Sequence, residues 1–472
     1  MGQGKSILKN TLIYAVGNFG SKALTFLLLP LYSFYLTKDE FGTYDLIIVS
    51  INLLAPMITL QTSEAIYRWL IDAKEDYHKQ SKVIFNGFVI VTFIALIFYI
   101  VYFLASLFID FEYTGYFALM LLFSCYLPLF QKILRGLGKV KTFAISGIVY
   151  TLLFLMFTIV FLLYFKLGLE SLLLASIVAG SITILFVIGK LDLKGVFSKQ
   201  HFERQEIESM IKYSLPLVPN SVSWWLINAA DKYLIVILLN IQANGIYAVS
   251  TRFPAVITLV NSIFLLAWQD HGIGAKEDRS NAMFFSKLFD KFITLELTLV
   301  LFLISISQYL VKYLIDPIYY EAWKYLPFLF IGVAFQAFSS FVGVGYQRAK
   351  KTRSIFTTSL VGGVLNILIS LILLKHIGLF APALGTFVSF LVMYTMRKYQ
   401  TNKFFRIEVN NSKLIGLTGV ALVFAFLVLL NNDYLNIALI CISLFSVFIL
   451  NKKLISELAV ILRNQIVKTM NK

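Results

Sequence analysis

The chain has 472 residues, 59% hydrophobic and 14% charged, with a mean hydropathy of +0.81. A soluble domain averages about 25% charged residues, so this composition excludes a soluble enzyme and makes lipid the main solvent. The formal charge of +16 and the pI near 9.5 fit basic loops at a membrane surface and argue against nucleic acid as a partner.

A membrane-crossing helix needs about 20 mostly apolar residues. Runs of that kind fall near 10–36, 43–64, 83–108, 116–135, 142–165 and 169–189. They resume near 211–239, 244–268, 288–314, 325–347, 355–374 and 378–396, with a final pair near 414–431 and 434–450. Lys5 and Lys9 precede the first run as in a signal peptide, but no small-residue cleavage site interrupts it before Leu36, which predicts an uncleaved first span. The period-2 alternation of a barrel is absent, and lipid offers no partner to an open strand edge, so the spans are helices.

The 41 Lys and Arg residues assign the sides. Thirty-three sit in alternate gaps, among them Lys74, Lys79, Lys132, Arg135, Lys190, Arg204, Arg279, Arg348, Arg397 and Arg406, whereas the opposite gaps hold five. This positive-inside asymmetry predicts fourteen spans with both termini in the cytoplasm. Two faint repeats suggest two halves. Gly42-Thr43-Tyr44 recurs as Gly245-Ile246-Tyr247, and Arg135, Phe143 and Ser146 recur as Arg348, Phe356 and Ser359. The expected fold is therefore an all-α integral membrane protein. It comprises a six-helix bundle over 1–200, a second, parallel-related bundle over 201–400, and an additional helix pair with a tail over 401–472.

Three cations, Lys22, Lys232 and Arg252, lie inside apolar runs. Lys22 shares a helix face with Tyr14 and Asn18 at about mid-bilayer depth, where a lipid-facing lysine costs at least about 2.5–3.5 kcal/mol, so it is expected to face a cavity. Lys232 lies close enough to the outer interface to snorkel. Arg252 precedes Pro254 by two residues, and satisfying backbone that the proline frees is the alternative to a functional role for it. Ser214, Ser221 and Asn228 recur at seven-residue spacing, a pattern that more often glues helices together than binds substrate. Among the carboxylates, Asp231 follows Asn228, Glu64 shares a face with Gln61 and Arg68, and Glu296 has no cation one turn away. These three are the candidates for coupling to H+ or Na+, with an intrahelical Glu64–Arg68 pair as the alternative for Glu64. Cys125 and Cys441 read as small core residues, with no disulfide or metal site implied. Gly4-Lys5-Ser6 lacks the upstream glycine of a phosphate-binding loop, and no polar segment is long enough for a nucleotide-binding domain, so no cofactor is expected.

Leu36-Thr37-Lys38-Asp39-Glu40-Phe41-Gly42-Thr43-Tyr44 resembles the opening of Wzx-type polysaccharide flippases of the multidrug/oligosaccharidyl-lipid/polysaccharide exporter superfamily. Tyr213-Ser214-Leu215-Pro216-Leu217-Val218-Pro219, Asn228-Ala229-Ala230-Asp231-Lys232-Tyr233 and Gly245-Ile246-Tyr247 are similar in order and spacing. The resemblance implies alternating-access transfer of an undecaprenyl-diphosphate-linked oligosaccharide across a bacterial inner membrane, for O-antigen or capsule assembly. It implies membrane lipids, a polysaccharide polymerase and a chain-length regulator as partners, and no catalytic residue. Lys22 and Arg252 stand where relatives that flip lipid-linked peptidoglycan precursor carry basic residues. They would attract the diphosphate, with Asn18 and Asn228 contacting sugars. A peptidoglycan-precursor flippase and an ion-coupled drug exporter are the alternatives within the superfamily.

Overall fold

A computed structural model describes residues 28–73, 76–274, 279–349, 351–453 and 456. Tyr14, Asn18 and Lys22 lie outside the described residues. Every regular element among the described residues is helical, with no strand. The chain divides into two compact units, Met1–Trp225 and Leu226–Lys472.

The first unit follows residues 28–35, which are helical, with α1 (Lys38–Ile58), α2 (Thr62–Asp72), α3 (Tyr77–Ser106) and α4 (Thr114–Gly136). Then come α5 (Val140–Ile159), which ends in a π-turn over Val160–Tyr164, α6 (Leu169–Ile188) and α7 (Arg204–Ser214). The Leu36–Tyr44 motif acquires a physical meaning here. Thr37 caps α1 through a capping box: its hydroxyl accepts from the Glu40 N–H at 3.3 Å and Glu40 Oε2 accepts from the Thr37 N–H at 2.8 Å. Glu40 Oε1 also accepts from the Leu169 N–H at 3.1 Å, so one carboxylate serves the N-termini of α1 and α6 together. Phe41 and Tyr44 pack with Tyr32 at ring-centroid distances of 6.3–6.5 Å.

The core of this unit joins Ile66 and Leu70 of α2 to Val83 and Ile84 of α3, Leu129 and Ile133 of α4, and Met210 of α7. Gly136 ends α4 where an added Cβ would sit 2.7 Å from Leu70 Cβ, so only glycine permits this approach. The polar stretch between α6 and α7 is docked on the bundle. Asn86 of α3 donates to the His201 carbonyl (3.0 Å) and to Glu206 Oε2 (2.9 Å), and accepts from the Glu203 N–H (3.1 Å). Lys82 pairs with Glu203 at 3.1 Å. The sequence shows only a hydrophilic linker here, because half of its binding groups are backbone atoms and their partners lie more than 100 residues away.

The second unit holds α8 (Val218–Asn228) in its C-terminal part, α9 (Ala230–Leu238), α10 (Ile241–Gly274) and α11 (Arg279–Leu314). A 3-10 segment, Pro317–Tyr325, then leads into α12 (Leu326–Arg348), α13 (Thr352–Ile377), α14 (Phe380–Thr401), α15 (Asn411–Leu429) and α16 (Asp433–Leu450). Segment Pro317–Arg348 is the heart of the unit, with 89% of its apolar window buried, against 17% for α16. Trp268 of α10 stacks on Phe341 of α12 at 4.0 Å and donates its indole N–H to the Phe341 carbonyl at 2.9 Å. Aromatic stacking plus a satisfied indole makes that contact both apolar and specific. The α15–α16 pair is attached by polar clasps. Asn436 donates to Gln308 Oε1 of α11 at 2.6 Å, Asn451 to Thr298 Oγ1 at 2.9 Å, and Lys413 pairs with Asp290 at 3.0 Å.

Ten helices among the described residues are long and apolar enough to cross a membrane. The exposed large side chains along α3, such as Phe93, Phe103 and Leu104, suit the lipid-facing surface of a multi-pass membrane protein. Two runs that the sequence reads as single spans are broken in the structure. The run near 43–64 divides into α1 and α2 at Leu60 and Gln61, and the run near 211–239 takes in the end of α7, a 3-10 turn at Leu215–Leu217, and α8 and α9, which part at Ala229. Cys125 is buried, but Cys441 is exposed on α16, so the core reading of the pair holds for Cys125 only.

Candidate functional site

In lipid, a helix break frees backbone groups that need partners, and polar side chains gather at both breaks here. At the first, Pro56 removes a donor from the last turn of α1, and Leu60 and Gln61 then adopt left-handed φ values of +46° and +55°. Gln61 spans the gap by donating to Ser221 Oγ at 2.8 Å. Glu64 lies in the first turn of α2, where the helix dipole favours an anion. Its partner is Lys132 of α4 at 2.6 Å, and Arg68 pairs instead with Asp72 at 2.5 Å. The intrahelical Glu64–Arg68 pair therefore does not form. Tyr67 completes the cluster, its ring 5.5 Å from Lys132 Nζ and 4.6 Å from the Arg135 guanidinium.

The second break carries more of the candidate residues. Asn228 ends α8, and Ala229 departs from helical geometry at φ −148°, ψ −21°. Asn366 of α13 donates to the freed Ile227 carbonyl at 2.8 Å. Gly363 lets α13 come this near, because a Cβ there would meet Leu226 Cβ at 2.8 Å. Asp231 and Lys232 occupy the first turn of α9 and are only 2% and 6% exposed. Lys232 is thus held inside the protein and does not snorkel to the interface as its position suggests. Tyr247 of α10 donates its hydroxyl to Asp231 Oδ2 at 3.1 Å, tying α9 to α10. Arg252 lies five residues further along α10, half-buried.

Glu296 stands apart from that cluster. It is 4% exposed on α11 and accepts from Asn261 Nδ2 of α10 at 2.8 Å. A neutral amide is its partner, so the carboxyl can gain or lose a proton without breaking an ion pair. No group of three metal-ligating side chains occurs among the described residues.

The structure therefore gathers Asn228, Asp231 and Lys232 at one helix break, links Asp231 to Tyr247, and gives Glu296 and Glu64 separate partners. Sequence reasoning missed Asn261, Asn366 and Lys132 as partners. The two asparagines were visible as polar residues inside apolar runs, but nothing in the sequence said what they bond. Arg397, counted with the loop cations, is also repositioned. It lies within α14, 3% exposed, donating to Thr358 Oγ1 (3.0 Å), Ser359 Oγ (2.9 Å) and the Ser339 carbonyl (3.3 Å).

Residues 7–268, more than half of the chain, match the family described as Polysaccharide biosynthesis protein. The chain belongs to that family. A Lsg locus protein of Haemophilus influenzae is 25% identical over 259 residues, 54% of this chain, and the match spans 62% of that relative's length. Among solved structures, the lipid II flippase MurJ in an inward closed conformation superimposes with a TM-score of 0.71 at 13% identity, covering 94% of this chain and 100% of that one. An inward-facing multidrug resistance MATE family transporter of the MOP superfamily gives 0.66 at 14% identity, covering 83% and 98%. At such identities the likeness is one of fold. This member of the polysaccharide biosynthesis family thus shares its helical architecture with membrane transporters.

Proposed function

We propose that this protein is a flippase of the bacterial cytoplasmic (inner) membrane, with fourteen spans in two six-helix bundles plus a C-terminal pair and both termini in the cytoplasm. Its substrate is an undecaprenyl-diphosphate-linked oligosaccharide repeat unit, moved from the cytoplasmic to the outer leaflet by alternating access for O-antigen or capsule assembly. The product passes to a polysaccharide polymerase and its chain-length regulator. No covalent bond is made or broken, so the protein acts as a transporter and not as an enzyme. Membership of the polysaccharide biosynthesis family supports the polymer, and the MurJ-like fold supports a lipid-borne cargo.

The observation that carries the reading is the retention of ionisable and polar side chains inside an apolar helical body. A diphosphate crossing hydrocarbon without partners meets a prohibitive desolvation cost, which fixed cations along the route offset. Lys22 and Arg252 are assigned to the diphosphate, and Asn18 and Asn228 to the sugars. Of the three candidate coupling carboxylates, Glu296 fits proton or sodium exchange best, because its partner Asn261 is neutral. Glu64 is already neutralised by Lys132, and Asp231 accepts from Tyr247.

The test is a leaflet assay in proteoliposomes containing the full chain and a fluorescent undecaprenyl-diphosphate oligosaccharide, read with a membrane-impermeant quencher. Lys22→Ala and Arg252→Ala are expected to insert normally and to flip at least about tenfold more slowly, the loss of one charge-assisted contact each. Wild-type rates in both variants would remove the cationic route. Faster flipping of lipid-linked peptidoglycan precursor, or ion-driven extrusion of a drug in place of either lipid, would assign the chain to the corresponding relatives.

A further inference from the structure

The strongest feature outside that site is a cavity of about 860 Å³ where α11 near Ser286–Thr294, the segment over 402–410, the start of α15 and the end of α16 meet. Its lining includes five lysines, Lys287, Lys291, Lys413, Lys452 and Lys453, against two carboxylates, Asp290 and Glu408, a net charge of 5 − 2 = +3. Asp290 is paired with Lys413 at 3.0 Å and Glu408 with Arg406 at 3.2 Å. Ile449 and Leu450 complete the lining on one side, and both are exposed. From there Ile442, Phe445 and Ile449 continue along one face of α16 as an exposed apolar track. The cavity is thus a basic cup open to an apolar strip at the end of two candidate membrane helices.

We propose that this cavity binds the phosphate head group of an anionic membrane phospholipid, whose acyl chains lie along the α16 track. The volume falls within the roughly 300–1,000 Å³ of small-molecule sites. Each lysine near an anionic lipid surface adds about 1 kcal/mol of attraction, so several converging on one cup select an anionic head over a zwitterionic one. The apolar margin distinguishes a lipid from a free phosphate, which has no use for Phe445 or Ile449. Such a lipid bridges α11 to the α15–α16 pair, alongside the Lys413–Asp290 and Asn451–Thr298 clasps. The proposal is independent of the cargo assigned above, because none of these residues belongs to that site.

Full-length protein in mild detergent is titrated with phosphatidylglycerol, phosphatidylethanolamine or inorganic phosphate, read by native mass spectrometry and thermal unfolding. Phosphatidylglycerol is expected to be retained and to raise the unfolding midpoint. The triple variant Lys287→Gln, Lys452→Gln, Lys453→Gln should weaken its binding at least about tenfold. The corresponding triple Lys→Arg variant should restore it. All three side chains are exposed, so neither variant disturbs packing. Unchanged binding in the glutamine variant would overturn the proposal, as would equal retention of phosphatidylethanolamine. Saturation by inorganic phosphate with the phospholipid excluded would overturn it as well.

Discussion

Asn366 of α13 donates its amide to the carbonyl of Ile227, 2.8 Å away, at the point where the second unit breaks a helix between Asn228 and Ala230. The bond lets the chain interrupt a helix in apolar surroundings and present Asp231 and Lys232 in a fresh first turn.

Removing that amide strands a buried carbonyl. Asn366→Leu is expected to lower stability by about 1–3 kcal/mol, the cost of an unsatisfied buried acceptor. Unfolding of the purified protein by heat should show the loss. A variant as stable as wild type would mean that the Ile227 carbonyl finds another partner.

Glu296 and Asn261 separate structure from coupling. Glu296→Gln keeps an oxygen that accepts from Asn261, so the unfolding midpoint should stay close to wild type. Under the coupling role proposed above, the same variant should lose the dependence of flipping on an imposed proton or sodium gradient. Gradient-driven flipping at wild-type rate would exclude Glu296 from coupling.

Arg397 is a buried cation held by two hydroxyls and one carbonyl, with no carboxylate partner among the described residues. Arg397→Ala is expected to cost about 2–5 kcal/mol, through the cavity and the lost charged hydrogen bonds. Arg397→Met should cost less, because it fills the space that alanine leaves open while losing the same hydrogen bonds. Equal losses in the two variants, compared by chemical denaturation, would refute this account.

Glu206 gives the α7 dock a pH dependence. It is half-buried, and burial holds its carboxyl above the ordinary 4.5 despite the lowering by the Asn86 amide and by Lys82. A carboxyl raised in the folded state stabilises fully below its unfolded value, and that contribution is lost as pH rises through the folded one. Glu206→Gln keeps an acceptor for Asn86 and removes the titration. Between about pH 4 and 8, the variant's unfolding midpoint should gain on wild type as pH rises. A constant difference across that range would rule the mechanism out.

The Glu64–Lys132 pair is partly exposed and joins α2 to α4. A double-mutant cycle of Glu64→Gln and Lys132→Gln should give a coupling energy of about 0.2–1 kcal/mol that shrinks with salt. A coupling of several kcal/mol would mean that the pair is desolvated in the membrane-embedded protein.

Much of the helical layout was readable in advance, and particular residues show why. Apolar run length is a local property, so the helices over Tyr77–Ser106 or Asn411–Leu429 follow from composition. The Leu36–Tyr44 motif carries its own capping box in Thr37 and Glu40, three residues apart. The Leu60–Gln61 and Ala229 breaks were not readable, because neither has a glycine. Pro56 is the one local hint near the first, and at the second the non-helical backbone is held by Asn366, 139 residues from Ile227 in the chain.

Sequence alone determined that the chain is a bundle of membrane-crossing helices with ionisable groups in its apolar runs, because hydropathy and charge are summed residue by residue. Tertiary structure decided which of those groups are sheltered and by what. Lys232 is enclosed where its depth suggested escape, Arg397 is buried where its neighbourhood suggested a loop, and Glu64 takes Lys132 over Arg68. The physical reason is that the cost of burying a charge depends on the atoms within hydrogen-bonding reach, and chain folding brings those atoms from distant positions.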